Sequence, residues 1–152
     1  MNLPIKAFSV LLLIFSLTCT DPKVEKNEKL KSFLWEKGID INQYSSILVL
    51  TEESCPACSH SFASLLEKQI ENKKSLLIIS ARGTLVDISM FLKAEAEENI
   101  LYDWKLELKK LEIHNDLNAI FLDKQGAIDT IVAIRAKGLQ STLAYISNRL
   151  EE

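Results

Sequence analysis

The residues best suited to chemistry in this chain are two cysteines separated by two residues, Cys55-Pro56-Ala57-Cys58. At the start of a helix this spacing brings both sulfurs within bonding reach, so the pair can cycle between dithiol and disulfide with little backbone movement. The first cysteine then sits among backbone N–H groups that lack helical partners. These favour the thiolate and can lower a thiol pKa from about 8.5 into the ~3.5–7.5 range. Cys55 is the expected nucleophile, and Cys58, one turn further in, the expected resolving thiol. Pro56 lacks an N–H that the first turn would leave unpaired anyway, so it stiffens the loop cheaply. Ala57 is small and neutral. Other readings stand beside exchange: a buried structural disulfide, or a zinc or copper site built from Cys55, Cys58, His60 and His114. A zinc ribbon wants a second close pair, and a c-type haem wants His directly after the second cysteine, where Ser59 stands. The expected site therefore holds neither metal nor cofactor.

These cysteines need elements to place them. Ile47-Leu48-Val49-Leu50 is a short, wholly apolar run, as in a strand covered on both faces. It stops in Thr51-Glu52-Glu53-Ser54, after which Cys58, Phe62, Leu65, Leu66 and Ile70 recur at helical spacing. Leu76-Leu77-Ile78-Ile79 predicts a second buried strand, completing a β-α-β unit with parallel strands. Gly83 punctuates the chain; residues 85–93 read as a short helix, 100–104 as a short strand and 105–111 as an amphipathic helix. Met90, Phe91, Trp35 and Trp104 are expected to be packing residues, and His60 and His114 surface histidines. Ala119-Ile120-Phe121-Leu122, the turn Asp123-Lys124-Gln125-Gly126 and residues 128–134 predict an antiparallel hairpin. A closing helix after Gly138 carries Leu139, Leu143, Ile146 and Leu150 on one face.

The composition, 47% hydrophobic and 26% charged, is that of an ordinary folded domain. A formal charge of −3, with no run of Lys or Arg interleaved with aromatics, gives a nucleic-acid partner no electrostatic support. At the N-terminus an apolar run from Ala7 to Leu17 follows the lone Lys6. It is shorter than the roughly 20 residues a membrane-spanning helix needs, so residues 1–18 read as a signal peptide. Phe15-Ser16-Leu17-Thr18-Cys19 resembles the bacterial lipoprotein signal, which implies cleavage before Cys19 and lipidation of its thiol. The alternative is an ordinary secretory peptide cleaved nearby. Residues 19–40 are expected to form a tether and N-terminal helix, with Leu30, Phe33 and Leu34 as its apolar stripe and the helix packed on a sheet edge. Residues 41–152 are expected to form the domain proper.

A CxxC at a strand-to-helix junction, within a β-α-β unit and followed by β-β-α, resembles the thioredoxin fold. That is an α/β class with three layers, a central mixed sheet flanked by helices. Phe121-Leu122-Asp123-Lys124-Gln125-Gly126-Ala127-Ile128 is also similar to the hairpin of TlpA/ResA-like thiol-disulfide oxidoreductases. The resemblance implies exchange with extracytoplasmic protein dithiols or disulfides, an upstream redox partner, and a membrane reached through a lipid anchor. The family usually has Trp where Ser54 stands, and a cis-proline where Leu117 or Asn118 stands. Pro4, Pro22 and Pro56 are the only prolines of the chain. The departures motivate a rival from another class, a non-catalytic thioredoxin-fold lipoprotein that binds a protein partner.

Overall fold

The structure is a computed structural model that describes residues 21–52, 55–94, 97–113 and 117–152. Helix α1 (Pro22–Glu36) leads into β1 (Ser46–Thr51), α2 (Pro56–Glu67) and β2 (Ser75–Ser80). Then come α3 (Ser89–Lys93), β3 (Ile100–Tyr102), α4 (Glu107–Lys110), β4 (Asn118–Leu122), β5 (Ile128–Ala133) and α5 (Leu139–Leu150). The strands form one mixed sheet in the order β3-β2-β1-β4-β5. β1 is parallel to β2 and antiparallel to β4, and β4 and β5 form the antiparallel hairpin. The fold is α/β with helices on both faces of the sheet, the arrangement of a thioredoxin-like domain with an added N-terminal helix; β3 extends it beyond β2 as a parallel edge strand.

The period-two geometry of strands explains why β1 and β2 are apolar throughout. Leu48 and Leu50, with Leu77 and Ile79 and with Ala119 and Phe121 of β4, pack on one face against Phe62 and Leu66 of α2 and Ile146 of α5. Ile47, Val49, Leu76, Ile78 and Ile120 point the other way, onto Leu30, Phe33 and Leu34 of α1 and Leu108 of α4. Helix α1 covers a sheet face as well as the expected edge, because the odd-numbered residues of β1 need apolar cover there. It also blunts the β5 edge: the Ile128 N–H donates to Asn27 Oδ1 at 3.1 Å and Lys23 Nζ to the Asp129 carbonyl at 3.1 Å. In the hairpin turn, Asp123 Oδ1 accepts from the N–H groups of Gln125 and Ala127. Gly126 adopts φ +67°, and a Cβ there would lie 2.6 Å from Asn42 Oδ1 and 3.2 Å from Ile41 Cγ2, so the turn favours glycine.

Several elements are shorter than the periodicity predicts. The strand begun at Ile100 ends at Tyr102 because the Asp103 side chain turns inward to accept from Ser80 Oγ (2.9 Å) and from the N–H groups of Glu107 (2.8 Å) and Leu108 (3.0 Å). Those bonds start α4 at Glu107, and Leu106, left-handed at φ 54°, keeps it from starting earlier. The helix expected over 85–93 occupies only Ser89–Lys93. Phe91 is buried and Met90 packs against the core, as expected. Trp35 does not, being 79% exposed, and Trp104 is 44% exposed. Trp35 sits one residue past Leu34, about 100° around α1 from the buried stripe. Trp104 instead stacks on Tyr102 with ring centroids 5.0 Å apart.

Candidate redox site

Cys55 and Cys58 are joined as a disulfide with their Cα atoms 5.2 Å apart, between the end of β1 and the start of α2. Cys55 is the N-cap of α2, and its sulfur accepts from the Cys58 N–H at 3.2 Å. Its carbonyl takes the first helical bonds, from the N–H groups of Cys58 (2.9 Å) and Ser59 (3.1 Å). Pro56 opens the helix with no N–H to satisfy, and Pro56 and Ala57 are both exposed. The two sulfurs stand in different surroundings: Cys58 is buried in the apolar cluster beneath the helix, whereas Cys55 is partly exposed. An incoming thiolate or disulfide can reach Cys55 and not Cys58. A thiolate on Cys55 would keep the Cys58 N–H as a donor and feel the positive end of a three-turn helix.

Three segments meet at this end of the sheet. Parallel pairing in register, with Thr51 opposite Ser80, makes β1 and β2 end side by side. Antiparallel β4 begins there, with Asn118 opposite Val49. Leu117, just before it, is fully buried in the same cluster as Cys58, and its carbonyl accepts from the Ile134 N–H at 2.9 Å. Asn118 is buried within the sheet. No peptide bond between described residues is cis, the Leu117–Asn118 bond included. Of the two positions where the family resemblance implies proline, Leu117 puts an apolar side chain into the core and Asn118 lies buried in the sheet.

Two residues that shape the site were not singled out by the sequence reading. The buried Ser59 hydroxyl lies 3.3 Å from the Thr51 carbonyl and 3.5 Å from that of Cys55, tying the first turn of α2 to the end of β1. Its place directly after the second cysteine was the available signal. Glu52 reaches across to the segment that leaves β2: its carboxylate accepts from the N–H groups of Thr84 (2.6 Å) and Leu85 (3.1 Å) and from Thr84 Oγ1 (3.1 Å). Partial burial pushes this carboxyl's pKa up, but the backbone N–H groups of Arg82, Leu85 and Thr84 outweigh that and hold it below the ordinary glutamate value. An acidic residue after an apolar strand reads simply as the polar end of the strand. Nothing local marks its partners thirty-odd residues away.

His60 is exposed on α2. Ser54, His114, Cys19 and the whole segment 1–20 lie outside the described residues. Among the described residues, no group of three His, Cys, Asp or Glu side chains converges as metal ligands would, and no helix is long and apolar enough to cross a membrane. The chain matches no known protein family, no curated protein and no solved structure.

Proposed function

We propose that this chain is a thiol-disulfide oxidoreductase of the TlpA/ResA-like kind, working outside the cytoplasm from a lipid anchor on Cys19. One observation carries the reading: a disulfide at a strand-to-helix junction whose N-capping sulfur is reachable while its partner is buried. In the reducing direction the Cys55 thiolate attacks one sulfur of a substrate disulfide, forming a mixed disulfide and expelling the other substrate sulfur as a thiolate. The Cys58 sulfur, deprotonated, then attacks Cys55 Sγ; the Cys55–Cys58 bond forms and the second substrate thiolate leaves. Two electrons pass from the pair to the substrate, and an upstream dithiol must restore them. The same steps in reverse oxidise a substrate dithiol. The apolar signal segment and the lipoprotein-like Cys19 support the extracytoplasmic, membrane-anchored setting.

Reduction of insulin by the full-length chain, with dithiothreitol as electron source, tests the reading. Cys55→Ser should abolish the acceleration over dithiothreitol alone. Cys58→Ser should accumulate mixed disulfides through Cys55, visible on non-reducing gels. A Cys55→Ser chain as active as the parent would end the enzyme reading. Leu117 and Asn118, neither a proline, where the family's proline is expected favour a second reading, a protein-binding module. In that case partners would be captured equally well by the Cys55→Ser, Cys58→Ser double variant.

A further inference from the structure

We infer that Glu52 is a positioning residue for polypeptide substrates of the dithiol, fixing segment 82–85 at the rim so that Leu85 meets an apolar side chain flanking the substrate's cysteine. The inference rests on the oxidoreductase reading and adds to it the surface that selects the substrate.

The segment leaves the sheet beside the dithiol, because β1 and β2 end in register. Its anchors belong to the cluster that holds Cys58: Ala81, Val86 and Ile88 are all buried there, and Cys55 packs against the same cluster. Gly83, at φ +79°, makes the bend, and a Cβ on it would press to 3.2 Å from Ile88 Cγ1. Between these anchors Leu85 is 58% exposed. That exposure is imposed, since its own N–H is held by the Glu52 carboxylate while Val86, next in the chain, is buried. One carboxylate satisfying the Thr84 and Leu85 N–H groups and the Thr84 hydroxyl, with the Arg82 N–H also favouring its charged form, is a rigid arrangement, and it costs the side chain its rotamer freedom.

A polypeptide disulfide held only through its sulfur is poorly oriented for in-line exchange, and a second fixed contact supplies orientation. Leu117, directly before β4, has its side chain turned into the core and away from a substrate. Segment 82–85 presents both an apolar side chain and a clamped backbone. Small disulfides, which need no such contact, should be indifferent to it.

Steady-state kinetics on the full-length chain, with insulin and with glutathione disulfide as separate substrates, test this. Glu52→Ala and Leu85→Ser should each raise KM for insulin about tenfold, the worth of one partly buried leucine contact, with kcat changed by no more than about twofold. Glutathione disulfide reduction should not change. Glu52→Gln keeps one acceptor oxygen, enough for the Thr84 and Leu85 N–H groups that share Oε1, and should stay within about threefold of the parent. An unchanged insulin KM in Leu85→Ser would overturn the inference. So would an equal slowing of both substrates in Glu52→Ala, which would place the effect on the dithiol itself. Should Glu52→Ala fail to fold, Leu85→Ser, altered only at an exposed side chain, decides the matter. A parent chain inert toward glutathione disulfide as well as insulin would instead bring down the oxidoreductase reading, and this inference with it.

Discussion

The loop that carries the dithiol and the start of β4 lie at the same end of the sheet, yet they are held by opposite means. Around Cys55 the chain is fixed by polar bonds, the N-cap sulfur to the Cys58 N–H and the Ser59 hydroxyl to the end of β1, while Glu52 bonds the neighbouring segment beyond β2 and not the dithiol. At Leu117 a fully buried aliphatic side chain holds the backbone, helped by one carbonyl bond to Ile134. Polar bonds are directional, so the first region can set a sulfur's position and electrostatics. Apolar packing is not directional, and at Leu117 it contributes stability through a side chain withdrawn from the surface. The dithiol loop is thus held by directional bonds and Leu117 by packing.

That contrast can be broken or sharpened by substitution. The largest expected effect is at the apolar region: Leu117→Ala should cost about 2–5 kcal/mol of stability, read as a lower urea midpoint, because it opens a cavity beneath the sheet's end. Glutathione disulfide reduction by the folded fraction should be unaltered. A loss of exchange out of proportion to unfolding would show that Leu117 serves the chemistry after all. A smaller effect is expected at Ser59: Ser59→Ala removes a buried hydroxyl donor and should cost about 1 kcal/mol. It should also change the rate of attack at Cys55 by loosening the first turn of α2, an effect that Leu117→Ala lacks. If the two variants moved stability and rate in the same proportion, the distinction between the regions would collapse.

The smallest effect is the pH dependence of the Glu52 clamp. Its carboxyl lies below the ordinary glutamate value in the folded chain. Its contribution is therefore complete above the unfolded-state value and is lost as pH falls through the lowered one. Amide hydrogen exchange at Thr84 and Leu85 should stay slow at neutral pH and quicken, beyond the intrinsic pH trend of exchange, only in acid. In Glu52→Gln that acid-dependent part should vanish. Equal acid loosening in parent and variant would assign it to another group, such as Asp87 in the same loop, whose carboxyl is likewise lowered by the N–H and hydroxyl of Ser89.

Much of the fold follows from local signals. The apolar runs of β1 and β2, the stripe Leu30, Phe33, Leu34 of α1 and the Asp123–Gly126 turn are each written in adjacent residues, because strand pleat, helix period and turn chemistry are properties of short segments. The spacing of Cys55 and Cys58, with Pro56 after the first, likewise determined a helix start and a pair able to bond. Where long-range bonds compete with local periodicity, the sequence alone misled: Asp103 cut short a strand and delayed a helix, and Leu85, bonded to Glu52, lies outside the helix expected to begin there. The exposure of Trp35 depended on which face of α1 the sheet would claim, and covering β1 on its odd-numbered side decided it. Hydrophobic pattern and spacing thus specified the dithiol and its strand-helix junction. Only the folded sheet, by ending β1 and β2 side by side, brought Glu52 to Thr84 and Leu85 and turned Leu117 into the core, because partners distant along the chain leave no mark on one another's neighbours.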